Sequence, residues 1–431
     1  MREHTVVSFR EYVPAPDNPR HYSNAILTAP VTAPIFDNWV AKLNEPFVGI
    51  TTDGQRQDGL FQIQDEDAPV ERWCETGCPY PSVSDQHQVA VAEQVWRILT
   101  PEERSRCTHA IDSPEWRKWS NPELLIFETG VRLESLHGDK ILKIMFLIQA
   151  SLSPKGYEKI TAAMEINHFL GELLNAKPIL NRNSYQFALF GVPSLHEPWG
   201  FALYGHHLCL NIFILGRQMT IGPVFIGAEP NVIDAGALNG LTLCKDEETY
   251  GLQLMQTLPR DLQRAAQIYP ALHDERMPPG RWNPADQRHI GGAFQDNRVI
   301  PFEGINATDM PPEQQTLLLK ILESYLVLLP EGPFQARMRN ITSHLPNTYF
   351  SWIGGYGDDD PFYFRIQSPV ILVEFDHHSG VFLLNEQPEK YHIHTILRTP
   401  NGNDYGQRLV EEFRARRGSL FNERDMRAWV A

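Results

Sequence analysis

The chain has 431 residues, a formal net charge of −15 and a hydrophobic content of 42%. That length admits one elaborate domain or two, and the composition is ordinary for a soluble globular protein. So negative a balance offers no basic field for phosphates, which argues against a nucleic-acid or anionic-membrane partner. No window approaches ~18 uninterrupted apolar residues, so no membrane span is expected. The first twenty residues lack a basic segment followed by an apolar run, so no signal peptide is expected and a cytoplasmic location is. Of the five cysteines, Cys74 and Cys78 form a C-x3-C pair with no second pair to match it. Free thiols in a reducing compartment are the better reading than structural zinc.

Residues 1–85 are rich in Pro, Asn, Asp and Gly and read as a loop-rich N-terminal extension packed on a main body spanning 86–431. Within it, PFVGITTDG and GLFQI have the composition of short strands. DQHQVAVAEQVWRIL then carries apolar residues at helical spacing, and TPEERSRC follows with Thr100 as cap and Pro101 at the first helical position. ILKIMFLIQASL predicts a buried helix. Ser153 caps another, with Pro154 at its start and Leu174 near its end. Glu165 and His168 share a face of that helix, but a single E-x-x-H pair is an ordinary helix surface.

A β region comes next. YQFALFG, WGFALYGHHLCLNIFIL and RQMTIGPVFIGAEP predict antiparallel hairpins, with Gly216-Arg217 as a tight turn. A strand starting at His206 would put His206, Leu208, Leu210 and Ile212 on the core face, and His207, Cys209, Asn211 and Phe213 on the other. His207 and Asn211 are then the polar candidates, and His206 a buried structural histidine. Residues 247–271 and 311–329 predict amphipathic helices. Between them HDERMPPGRWNPADQRHIGGAFQDNRVIPFEG is a long, turn-rich loop of the kind that carries function. The GGYGDDD run has no phosphate-loop spacing and reads as a solvated turn. No internal repeat is visible.

The densest chemistry lies between Phe362 and Gly406. Ser368–Asp376 predicts a strand with Glu374 and Asp376 on one face, and Tyr391–Arg398 a second with His392, His394, Ile396 and Arg398 together. Laid antiparallel, the two would bring two carboxylates, two imidazoles and a guanidinium onto one sheet face. An H-x-H pair places its imidazoles ~7 Å apart at the backbone, close enough to converge on one cation. The predicted ligands are His207, Glu374, His392 and His394, with His378 in reserve, and zinc, iron, copper or manganese fits that donor set. Asp376 is the expected general base and Arg398 the expected clamp for a substrate carboxylate. Asp404 would hold Arg398 or serve the chemistry itself, beside Asn211. A metal-free polar active site, or a salt-bridged structural network on a half-solvated face, are the alternatives.

Taken together, WGFALYGHHLCLNIFILGRQMTIGPVFIGAEP, PFYFRIQSPVILVEFDHH and YHIHTILRTPNGNDYG resemble the family known as domain of unknown function 3500. With LIQASLSPKGYEKITAAMEI upstream, the likeness covers roughly residues 85–415. It carries over Gly205-His206-His207, Glu374 with Asp376, His392-Ile393-His394 and Asn403-Asp404-Tyr405-Gly406. The long N-terminal part and the His377-His378 pair are closer to the family's fungal branch than to its bacterial one. Glu229 stands in G-A-E-P where the resemblance implies a smaller amide residue, which leaves it outside the ligand set. The family brings no settled activity with it. The expected fold is α+β, a mainly antiparallel sheet packed against helical layers. The expected function is metal-dependent hydrolysis or lyase chemistry on a small organic molecule. An iron or copper oxygenase or oxidase using the same residues, or a metal-free small-molecule-binding protein, are the alternatives. No G-x-S-x-G elbow, Walker loop or convincing G-x-G-x-x-G is present.

Overall fold

The computed structural model describes residues 8–18, 41–63, 85–123, 126–284 and 286–417; Cys74 and Cys78 lie outside them. In chain order, helices α1 (Asp85–Ile98) and α2 (Pro101–Cys107) lead to strand β1 (Thr108–His109). There follow β2 (Val131–Arg132), α3 (Gly138–Ser151) and α4 (Pro154–Leu173). Then come β3 (Tyr185–Phe190), β4 (Trp199–Gly205), β5 (Leu208–Leu215) and β6 (Gln218–Ala228). The second half runs α5 (Lys245–Thr257), α6 (Arg260–Ala266), β7 (Gln267–Tyr269), β8 (Ile305–Asn306), α7 (Pro312–Leu326) and α8 (Glu331–Ser343). It ends with β9 (Tyr349–Gly354), β10 (Phe362–Gln367), β11 (Leu372–His377), β12 (Ile393–Arg398) and α9 (Gln407–Arg417).

The strands form one sheet in the order β1-β3-β4-β5-β6-β12-β11-β10-β9-β7, with β2 on β3 and β8 on β9. Among the described strands, β1 with β3 and β7 with β9 pair in parallel and the rest antiparallel. The fold is therefore α+β with a mainly antiparallel sheet. The order helix, helix, short parallel strand, short antiparallel strand, helix, helix, four-strand meander occurs twice, and the last strands of the two meanders, β6 and β12, pair antiparallel at the seam. This internal repeat of structure contradicts the expectation of none. The two halves repeat element type, pairing and burial, which many different residues satisfy, so no string of residues advertises it.

Local signals placed many boundaries well. Thr100 accepts a hydrogen bond from the Glu103 amide while Glu103 returns one to the Thr100 amide, a complete capping box. Ser153 caps α4 through the Gly156 amide. Elsewhere tertiary context prevailed. The helix expected over 247–271 is two, because Pro259 stands at the N-cap of α6 and starts it afresh. The two expected N-terminal strands do not form; Thr51 makes a single parallel bridge to Val299. The strand expected over 368–376 is the end of a β10–β11 hairpin, and α8 carries no apolar stripe strong enough to have been foreseen.

Each face of the sheet buries a different layer. Phe362, Phe364, Val373, Phe375, Ile393 and Leu397 point into the core built with Leu254, Leu318, Ile321 and the other helical residues. The opposite face, with Phe225, Leu372 and Ile396, packs under Trp116, Trp119, Ile290, Phe294 and Ile300, which arrive on irregular segments. Histidines and carboxylates face this second, loop-covered side.

Candidate metal centre

Residues directly opposed in an antiparallel pair share a sheet face. Tyr363 opposes Asp376, Asp376 opposes His394, and His394 opposes Gly227. The Gly227 amide donates to the His207 carbonyl at 2.8 Å, which carries the row onto the next hairpin. Four strands and a turn thus line up the acid, the imidazoles and a glycine. A Cβ at Gly227 would meet His207 Cδ2 and His394 Cδ2 at 3.0 Å each, so only glycine leaves the rings room to approach. His206 and His207 are not on a strand as expected. They form the β4–β5 turn, with His207 at φ 56° in the left-handed region. That turn swings His207 over the row and sends His206 to the helical side, where its Nδ1 pairs with Asn167 Oδ1 at 2.8 Å.

Three Nε2 atoms converge. Those of His392 and His394 are 3.1 Å apart, and those of His394 and His207 are 3.1 Å apart. His392 Nδ1 donates to the Ser379 carbonyl at 2.8 Å, and His394 Nδ1 lies 3.4 Å from Asp286 Oδ1. Ligating imidazoles are held in this way, one nitrogen on the ion and the other on a carbonyl or carboxylate. A second convergent set is Asp286, His378 and His394, whose donor atoms lie within 4.8 Å of one another, as do those of His207, His392 and His394. All five residues are buried. Burial, reinforced by neighbouring imidazoles, holds His207, His378 and His394 well below the usual imidazole range, in the neutral form that binds metals. Burial and then Glu374 and Asp376 push Asp286 well above the usual carboxylate range.

The other expected site residues are engaged elsewhere. Glu374 accepts from the Ile290 and Gly291 amides at 3.0 and 2.7 Å and from Tyr363 Oη at 2.6 Å. Its carboxylate pins a loop, and it belongs to neither convergent set. Asp376 pairs with Arg288 Nε at 2.6 Å and lies 3.0 Å from His378 Nε2, so it places its neighbours and is no free base. Arg398 is fully buried and spends its guanidinium on Asp296, Asp404 and the carbonyls of Gly291 and Gly292. Four of its five N–H donors are spent inside the protein, so it is an internal anchor and not a free clamp for a substrate; Asp404 holds it, one of its two expected roles. Asn211 donates to the Pro223 carbonyl at 2.9 Å and stabilises the β5–β6 hairpin. Glu229 accepts from the Val381, Phe382 and Leu383 amides, a loop anchor like Glu374. Glu165 pairs with Arg182 on the helix surface, and Asp360 caps its own glycine turn through the Gly357 amide.

Asp286, Arg288 and His289, all on the long loop, were not among the residues picked out. The loop itself was marked as functional, and D-x-x-H followed by Gly291-Gly292 is the signal within it. A Cβ on Gly292 would overlap Asp286 Oδ2, so that glycine lets the carboxylate sit down onto His394.

A family profile described as protein of unknown function (DUF3500) matches residues 82–407. The chain belongs to the DUF3500 family. No curated protein and no solved structure matches it. Each element that supplies a residue to this DUF3500 centre lies within the matched span. No helix among the described residues is long and apolar enough to cross a membrane. Two cavities of about 320 Å³ lie elsewhere, one beside Leu60, Arg217 and Arg337 and one beside Glu45, Trp116 and Tyr405.

Proposed function

We propose that this chain is a metal-dependent enzyme, with His207, His392 and His394 holding a divalent transition metal through Nε2. One observation carries the reading. The Ser379 carbonyl can only accept, so His392 Nδ1 bears a proton and its Nε2 presents a lone pair. The contact between His392 and His394 is then a hydrogen bond only if His394 Nε2 is protonated. That same proton would block His394 from accepting at the other contact, with His207. Among neutral rings both short contacts can be hydrogen bonds only if His394 shares its single Nε2 proton between them, a weaker arrangement than two separate bonds. A cation satisfies all three lone pairs together, and nitrogens around 2.0–2.1 Å from a tetrahedral zinc stand about 3.3 Å apart.

Three protein ligands leave a fourth position, the arrangement of catalytic rather than structural zinc. When bound, the metal lowers the pKa of a coordinated water to about 7 and supplies hydroxide for hydrolase or lyase chemistry on a small organic molecule. The chain's own part is to hold the imidazoles in one tautomer, with Asp286 steadying His394 and poised by its raised affinity for protons to take one from water. Entry of a substrate requires the 286–292 segment to lift from the sheet, since every ligand beneath it is buried.

A second reading rests on the second donor set. Asp286, His378 and His394 make two imidazoles and one carboxylate, the ligands of non-haem iron oxygenases. The two are separated by loading the metal-free protein with Zn2+ or with Fe2+. Zinc-dependent cleavage of an activated aryl ester, rising with pH near 7 and lost in His394→Ala, supports hydrolysis. Iron-dependent oxygen consumption without ester cleavage supports the oxygenase. Neither activity, with folding unchanged after chelation, leaves a metal-free binding protein.

A further inference from the structure

We infer that the centre is dinuclear, with a second divalent cation bound by Asp286, His378 and the Nδ1 of His394. This rests on the first metal site proposed above and extends it. The donor atoms of the second set, like those of the first, lie within 4.8 Å of one another, and the two sets share one residue, His394. That imidazole is used from both ends: its Nε2 faces His207 and His392, and its Nδ1 faces Asp286 Oδ1.

An independent observation comes from His289. It is 1% exposed, and among the described residues neither ring nitrogen has a hydrogen bond of good geometry, its approach to the His394 backbone being a loose one. A buried imidazole whose nitrogens lack good partners is costly, because the desolvation of each polar group is not repaid. Its Nδ1 lies 3.6 Å from Asp286 Oδ1, and its ring borders those of His378 and His394. His378 Nε2 also lacks a hydrogen bond, since its 3.0 Å approach to Asp376 Oδ2 is off the bonding direction. An ion among Asp286, His378 and His394 gives these orphaned nitrogens their role: His378 as ligand, and His289 as a further donor or as the acceptor for a proton of metal-bound water. Glu374 and Asp376 on the adjacent strand add negative charge, that of Asp376 being balanced in part by Arg288.

Binding the second ion replaces the Nδ1 proton of His394, which is released to solvent, and turns Asp286 from hydrogen-bond acceptor into ligand. One imidazolate then joins the two ions.

The test is a titration of the metal-free chain with Zn2+, read as ions bound per chain, and of the same chain with Cu2+, read by electron paramagnetic resonance. The native chain is expected to bind two ions. Asp286→Asn and His378→Gln are each expected to bind one, with circular dichroism confirming that they fold. The doubly loaded copper form is expected to lose signal intensity by coupling through the shared imidazole. One ion in the native chain and in both variants overturns the second site and leaves the first standing. Two ions retained in both variants also overturn it, because the second ion then lies elsewhere. No ion at all removes both readings. Should the variants fail to fold, the native stoichiometry and copper coupling decide alone: one ion, or two without coupling, overturns the inference.

Discussion

At the scale of single residues the account turns on His394, the one side chain common to both donor sets. Its neighbours are chosen to let it be there. Gly227→Ala pushes a methyl against the rings of His207 and His394. It is expected to lower zinc affinity by about 10–100-fold, the range found when a group that orients a ligand is lost. Competition with a chromophoric chelator measures this. Glu374→Gln is expected to behave differently. Its carboxylate serves two loop amides and Tyr363, so removing the charge should cost about 1–3 kcal/mol of unfolding free energy while metal content stays unchanged. Denaturant unfolding and elemental analysis of the same sample separate the two effects. A variant that keeps full stability but loses its metal would return Glu374 to the ligand set.

At the scale of elements, the site is a rigid sheet row closed by a long loop. Alternation in E-F-D and H-I-H was legible because strand side chains alternate with period two, and that rule is local. Which face of those strands is polar was legible for the same reason, since a one-residue slip turns the polar face into the core, while the register itself is not fixed by alternation. The fates of Arg398 and Glu374 were not legible. A guanidinium and a carboxylate on a polar face look the same to the sequence whether they meet a substrate or the backbone of a loop about a hundred residues away. The His206-His207 turn was missed because histidine seldom adopts the left-handed conformation and nothing in the string marks it. Asp286 was missed because irregular loops have no period to read. The loop's hold on the sheet gives a prediction: Arg288→Ala removes the charged partner of buried Asp376 and leaves it only His378 and a backbone amide, costing up to about 3–5 kcal/mol. Hydrogen exchange at Ile290 and Gly291 should then accelerate, and rates unchanged from the native chain would detach the loop from this ion pair.

At the scale of the whole molecule, the buried histidines couple metal binding, folding and pH. Burial, then His392, holds His206 down to about 3, far below the ~6.5 of an unfolded imidazole. The folded state therefore binds fewer protons than the unfolded one, and the stabilisation is present above about pH 6.5 and lost as pH falls from there towards 3. His207, His378 and His394 shift in the same direction. Acid is thus expected to unfold the protein and release its metal together. Unfolding free energy measured against pH should fall by about 1.4 kcal/mol per pH unit for each such proton, and His206→Gln should flatten the slope by one proton. A flat profile between pH 6.5 and 4 would deny that these rings are buried neutral.

The most direct measurement is elemental analysis of the purified untagged chain beside His392→Ala, His394→Ala and His206→Ala. The account predicts at least one equivalent of transition metal in the native chain and in His206→Ala, and a sharp loss in the other two with the protein still folded. Full metal in both His392→Ala and His394→Ala, or a metal-free native chain whose stability ignores chelation, would contradict it.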